Sequence, residues 1–270
     1  MAGVWSLVEG YIKGAVLGVQ EYSVLTAKAL RAVFARPFYW RDTLQQMDVI
    51  GVGSLGIVLL TGLFTGMVLA LQSAIEMQRF GASIYIGRLV GAAAVRELGP
   101  VLTGLMVAGR VGAGMAAQLG SMKVTEQIDA LNVIGTDPIK KLVTPRLVAA
   151  LIMLPVLTVI TDVVAILGGM FIATLKFNLT ADLYMRSVYQ TLADTGFVFT
   201  YIPKDMVQGL IKPFFFGGII AMTGCYFGLQ TRGGTEGVGV STTRAVVTAS
   251  ILILAVDYFL TQLLISILFQ

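Results

Sequence analysis

From Val49 to Ile75 no residue carries a charge, and Leu, Val, Ile, Ala and Gly dominate. About 20 consecutive apolar residues cross the hydrocarbon core of a bilayer, so this run spans one with some tilt. In lipid a backbone must satisfy its own hydrogen bonds, which restricts such a run to a helix or a closed barrel. Four further apolar runs follow: within Leu89 to Met122, from about Leu147 to Leu175, from Pro213 to Gln230, and from Ala245 to Phe269. The length of these runs selects the helix. The chain is expected to be an all-α membrane protein with five transmembrane helices. Its composition agrees, with 56% hydrophobic and 13% charged residues, against about 25% charged in an ordinary soluble domain.

Several function classes drop out. The chain has no His, which removes His-based acid–base catalysis, Ser-His triads and His metal sites. Cys225 is the one cysteine, so no intrachain disulfide can form. Gly53-Ser54-Leu55-Gly56 is one residue short of a nucleophile elbow. The run Gly233 to Gly239 lacks the Gly-Lys-Ser/Thr ending of a phosphate-binding loop and has no strand before it. Energy for active transport would therefore come from another subunit or an ion gradient. The net charge of +4 is spread between apolar runs, which suits a membrane orientation signal and not a nucleic-acid surface. The N-terminus lacks the pattern of a cleaved signal peptide.

Residues 1–45 hold too many charges to span. Val4, Leu7, Val8, Tyr11, Ile12, Ala15 and Val19 recur at helical spacing, with Trp5, Phe38, Tyr39 and Trp40 as headgroup-zone aromatics. The pattern predicts an amphipathic helix lying in the interface, with a helix packed on a soluble partner as the alternative. Residues 46–270 form the five-span body, and 1–270 reads as one domain. Gly62 and Gly66, then Gly112, Ala116 and Gly120, then Gly224 and Gly228 are spaced for close helix approach. Residues 76–88, 176–212 and 231–244 read as connections. Of the 19 Lys and Arg, twelve fall on the N-terminal side of such a topology and seven, including Lys204 and Lys212, on the other. That places the N-terminus in the cytoplasm.

The segment after the second span is a charged insert. About 123–134 it reads as a short amphipathic helix, with Val124, Ile128, Leu131 and Ile134 on one side and Lys123, Thr125, Glu126 and Asp129 on the other. Gly135 and Pro138 stop it. It fits a coupling helix docked on a cytoplasmic motor subunit or a helix resting on the bilayer. Ionisable residues inside spans are functional candidates. Arg96 and Glu97 are adjacent, diverge by about 100° and cannot face each other; one lines a cavity while the other reaches the interface, or both sit at the outer helix end. Asp162 and Asp257 suit inter-helix hydrogen bonds, or the carboxylates of an ion-coupled secondary transporter. Arg110 caps the cytoplasmic half of its span or snorkels.

Arg96-Glu97-Leu98-Gly99-Pro100, Ala108-Gly109-Arg110-Val111-Gly112, Glu126-Gln127-Ile128-Asp129-Ala130-Leu131, Asp137-Pro138 and Pro145-Arg146 occur in that order. Together with Gly237-Val238-Gly239, Thr242 to Val247 and Asp257 they resemble the MlaE family of ABC-transporter permeases, from about residue 45 onward. The resemblance implies a permease in the bacterial inner membrane that forms a homodimer and is itself no enzyme. It binds no cofactor; ATP and Mg belong to a cytoplasmic ATPase dimer. A periplasmic hexamer of MCE-domain protein completes the complex, with a STAS-domain protein in some systems. Its implied substrate is phospholipid, moved between the membrane and the MCE assembly. Leu69, Met77, Phe80, Arg96, Glu97, Leu98 and Leu102 would belong to the lipid cavity. Lys123, Glu126, Gln127, Asp129 and Leu131 would contact the ATPase, and Arg110, Asp162 and Asp257 would be structural polar groups within the membrane.

Overall fold

The computed structural model describes residues 2–194, 196–198 and 202–268, and their side chains except those of 2–12, 15, 197, 198 and 202. The helices are α1 (Ala2–Val33), α2 (Trp40–Ile50), α3 (Leu55–Arg79), α4 (Ile86–Ala93), α5 (Gly99–Val107), α6 (Ala113–Val124), α7 (Gln127–Val133), α8 (Thr144–Phe177), α9 (Ala181–Asp194), α10 (Lys204–Leu229) and α11 (Gly234–Leu268). The exception to an all-α fold is a two-residue antiparallel pairing of β1 (Phe197–Val198) with β2 (Ile202–Pro203). Among the described residues, five segments are long and apolar enough to cross a membrane: Trp40–Arg79, Ser83–Val124, Ile139–Phe177, Lys204–Leu229 and Gly234–Leu268.

Small residues set how these spans meet. On α3, Gly62 and Gly66 press against the backbone of Thr161 and Ala165 on α8. A Cβ on Gly66 would lie 1.9 Å from the Ala165 carbonyl oxygen, so only glycine allows this approach. On the other side of the bundle the second span meets α10 in register: Gly112 with Gly224, Ala116 with Gly228, and Gly120 with Thr231. Both seams follow the small-residue spacing in the sequence. Between them lies a core that includes Val107, Met115, Leu119, Leu154, Phe216, Ile220 and Met222. A smaller cluster, around Ile86, Val90, Ala173, Tyr184 and Val188, ties α9 to the far end.

Four sequence expectations about extent are corrected. The fourth span begins at Lys204, not Pro213, so Lys204 to Lys212 belong to its first turns. The fifth begins at Gly234, so most of the expected glycine-rich loop is helical. Residues 76–79 continue α3 before the turn at 80–82. The helix expected over 123–134 is broken: α6 runs on from the second span to Val124, Glu126 adopts the left-handed region at φ 57°, and α7 covers only Gln127–Val133. Lys123 thus ends the span helix, and its Nζ reaches across the break to both carboxylate oxygens of Asp129 at 2.9 Å. The expected apolar side is not buried as a unit either. Ile128 is buried and Leu131 half-buried, but Val133 and Ile134 are 86% and 72% exposed.

The N-terminal region is one long helix whose second half docks on the bundle. Ala29 is buried, Tyr22 meets Tyr226 edge-on, and the Tyr226 hydroxyl donates to the Gly18 carbonyl at 3.2 Å. Burial pushes the Tyr22 phenol up to about 12. The apolar side assigned to Val4 through Ala15 lies outside the described side chains.

Candidate functional site

The second span is not a uniform α-helix. Two π-turns interrupt it, at Ala94–Leu98 and at Ala108–Gly112. The first has a covalent reason. Pro100 has no N–H and its ring crowds the carbonyl four residues back, that of Arg96. The widened turn relieves the crowding, and a side chain from another helix supplies the missing donor: Lys212 Nζ donates to the Arg96 carbonyl at 3.0 Å.

Lys212 is the hub of a buried polar network. It is fully buried on α10, and its ammonium also donates to Glu97 Oε2 at 2.5 Å and lies 3.1 Å from Asp257 Oδ1 on α11. Glu97 Oε1 accepts from Thr261 Oγ1 at 3.3 Å and faces Gln208 Nε2 at 3.5 Å. One helical turn away, Arg96 donates to Asp205 Oδ2 at 2.8 Å, and Asp205 is fully buried. Two cations therefore meet three carboxylates where the second, fourth and fifth spans converge. Isolated charges at this depth are costly, and mutual pairing is what allows them to stay.

The two candidates of the Arg96-Glu97 pair do not face each other, as their spacing requires, yet both turn toward α10. Leu98, the next residue, turns toward α3. There it lines an open groove of about 350 Å³ with Phe64, Thr65, Val68, Leu69 and Gln72. Leu102 lies beside it in a narrow crevice that Leu69 and Leu98 share with Gly62 and Thr161. Hence Leu69, Leu98 and Leu102 come together, whereas Met77 packs against the far apolar cluster and Phe80 is 76% exposed at the end of α3. This π-turn joins an apolar groove on one side to a charged network on the other.

The remaining candidates are dispersed. Asp257 belongs to the network. Asp162 sits apart, its Oδ1 in the space that a side chain on Gly99 would fill, next to a recess lined by Val95, Val159, Met206 and Leu210. Arg110 lies on the second π-turn, donating to Ser54 Oγ at 3.0 Å. Glu126, Gln127 and Asp129 are exposed around α7, at the opposite end of the second span from the network. Sequence reasoning missed Lys212, Asp205 and Gln208. Their spacing, three and then four residues, is that of one helix face, and this is the signal that could have found them.

Comparison with known proteins places the site in context. The family model described as permease MlaE matches residues 43–263. A probable ABC transporter permease protein of Rickettsia bellii is 42% identical over 245 residues, which is 91% of each chain. Another, from Synechocystis, is 42% identical over 224 residues, 83% of this chain and 82% of its own. A chloroplastic protein of Arabidopsis thaliana named TRIGALACTOSYLDIACYLGLYCEROL 1 is 37% identical over 239 residues, 88% of this chain and 66% of its own.

Proposed function

This chain belongs to the MlaE permease family, the membrane subunits of ABC transporters, and from that premise we propose that it moves phospholipid through the groove at Leu98. A multi-pass permease of this class works with an ATPase partner and is not itself the hydrolase. The finer reading is ours. Two copies assemble in a bacterial inner membrane with the N-terminus cytoplasmic and the first half of α1 lying in the interface. The ATPase docks on α7, whose exposed Val133 and Ile134 offer apolar contacts and whose Gln127 and Asp129 offer polar ones. Lipid passes to or from a periplasmic MCE-domain assembly, with a STAS-domain protein on the ATPase in some complexes. The Arabidopsis relative carries the name of a glycolipid, which agrees with a lipid cargo.

One observation carries this reading: the groove of Leu69 and Leu98 is open and largely apolar, with Thr65 and Gln72 as its polar groups. An apolar wall accepts acyl chains without an unmet hydrogen bond, and a few polar groups near it orient the head. Lys123 reaches across the break at Glu126 to Asp129, so ATP-driven movement of α7 reaches the groove along the helical segment of residues 83–124 as a shift between two packings. The test is Leu98→Asp in the full complex. Retained phospholipid and lipid movement between labelled vesicles should both fall at least tenfold while the protein stays folded. Undiminished lipid retention would remove the groove from the mechanism.

A further inference from the structure

Arg110 is held on the second π-turn, and the structure leaves its charge unanswered. Its guanidinium donates to Ser54 Oγ at 3.0 Å and to the Val49 carbonyl at 3.4 Å, both neutral acceptors. Among the described residues it forms no ion pair. Gly53 gives it room, since a Cβ there would lie 2.8 Å from both terminal nitrogens. Beside it opens a recess of about 220 Å³, walled by Gln46, Val49, Val111, Gly114, Met115 and Gln118. No carboxylate lines it.

The chemistry of the walls is one-sided. Gln118 Oε1 accepts from Arg146 at 2.8 Å. A guanidinium has only donors, so the amide oxygen must face Arg146 and the amide nitrogen is the end left to donate elsewhere. The recess therefore offers guanidinium N–H groups and an amide N–H, the donor set that binds an oxyanion. Arginine's planar fork matches two oxygens of a phosphate.

Its depth narrows the choice of anion. Ser54 immediately precedes α3, whose 25 residues rise roughly 37 Å at about 1.5 Å each. The uncharged run begins slightly earlier, at Val49, so Ser54 and the Arg110 beside it stand less than two helical turns inside its α7-side end, from where a guanidinium reaches phosphate level by snorkelling. Val49 and Val52, 55% and 62% exposed, extend an apolar surface from that level.

We propose that this recess binds the phosphate of a membrane lipid in the leaflet on the α7 side, as a site separate from the Leu98 groove. It rests on the membrane placement of the spans and not on the transport reading. Inorganic phosphate shares the chemistry; the apolar surface of Val49 and Val52 favours the lipid.

The full-length protein, delipidated in mild detergent, is titrated with phosphatidylglycerol and followed by native mass spectrometry. Inorganic phosphate and diacylglycerol are parallel probes. Arg110→Gln should weaken one lipid-binding step about tenfold, the scale of one lost charge-assisted hydrogen bond, and Arg110→Lys should retain part of it. Gly114→Leu keeps the arginine, meets open space at its Cβ and fills the recess, so it should abolish the same step. The Leu98→Asp chain should keep that step whether or not its own groove holds lipid. Equal phosphatidylglycerol binding by wild type, Arg110→Gln and Gly114→Leu would overturn the proposal. So would equal binding of diacylglycerol, which marks an apolar crevice, or displacement of the lipid by equimolar phosphate, which marks a soluble-anion site. Arg110→Gln that splits a dimer without losing lipid would instead assign the guanidinium to a contact with a second copy.

Discussion

Two arginines of the second span, Arg96 and Arg110, are each mounted on a π-turn, and the protein treats them in opposite ways. Arg96 and its neighbour Glu97 are met by Asp205, Lys212 and Asp257 from two other helices. Among the described residues, Arg110 is met only by a hydroxyl and a carbonyl. The same local device therefore serves two ends. At Ala94–Leu98 the widened turn frees a carbonyl and aims charges inward, where they staple the second span to α10 and α11. At Ala108–Gly112 it aims a cation outward beside a recess whose other polar walls are the amides Gln46 and Gln118. A charge neutralised within the fold contributes to holding the fold together; a charge left open is available to something that is not part of this chain.

That contrast can be broken most severely at Lys212. Lys212→Leu leaves Glu97 and Asp257 facing each other without a cation and removes the donor to the Arg96 carbonyl. Losing one partner of a buried charge group costs about 3–5 kcal/mol, so thermal unfolding in detergent should shift strongly downward. Adding Glu97→Gln and Asp257→Asn should recover much of it; no recovery would mean that the three are not one unit. Arg96→Gln comes next. Asp205 loses its partner but remains in the first turn of α10, where the helix dipole favours an anion, so a loss of about 1–3 kcal/mol is expected. Pro100→Ala is smaller and more informative. It restores an N–H that competes with Lys212 for the Arg96 carbonyl, so stability should change by no more than about 1 kcal/mol, because the relief of removing an interior proline offsets the weakened staple. Lipid movement should fall as the turn straightens. Unchanged movement would detach the π-turn from function. Arg110→Gln should be the mildest, within about 0.5 kcal/mol as for an exposed residue. A large loss of stability there would erase the distinction between the two arginines.

Much of this architecture is legible in the sequence because the bilayer imposes it. Apolar runs marked the five spans, and the spacing of Gly62 and Gly66, Gly112 and Ala116, and Gly224 and Gly228 marked the seams, since close backbone approach admits only small residues. The ends of the spans were less legible. Lys204, Asp205 and Lys212 read as a connection because charge is the ordinary sign of leaving the membrane; the partners of Asp205 and Lys212 lie more than a hundred residues away on the second span, or on α11. The stretch after Gly233 read as a loop because glycine has poor helix propensity, which tertiary packing overrode. The break at Glu126 carries no local signal, as neither glycine nor asparagine occupies that left-handed position. The π-turns did leave a trace. Those at Ala94–Leu98 and Ile139–Val143 each end two residues before a proline, Pro100 and Pro145. The one at Ala108–Gly112 has no such proline, which is why the setting of Arg110 could be found only in the structure.

The most direct test of the account is native mass spectrometry of the complex released in mild detergent from cells that co-express the chain with its genomic neighbours. The account predicts two copies of this chain with two ATPase subunits and retained phospholipid, and loss of the ATPase when Val133 and Ile134 on the exposed end of the α7 segment are changed to aspartate. A chain recovered alone, without ATPase or lipid, under conditions that keep a related permease complex intact, would contradict it.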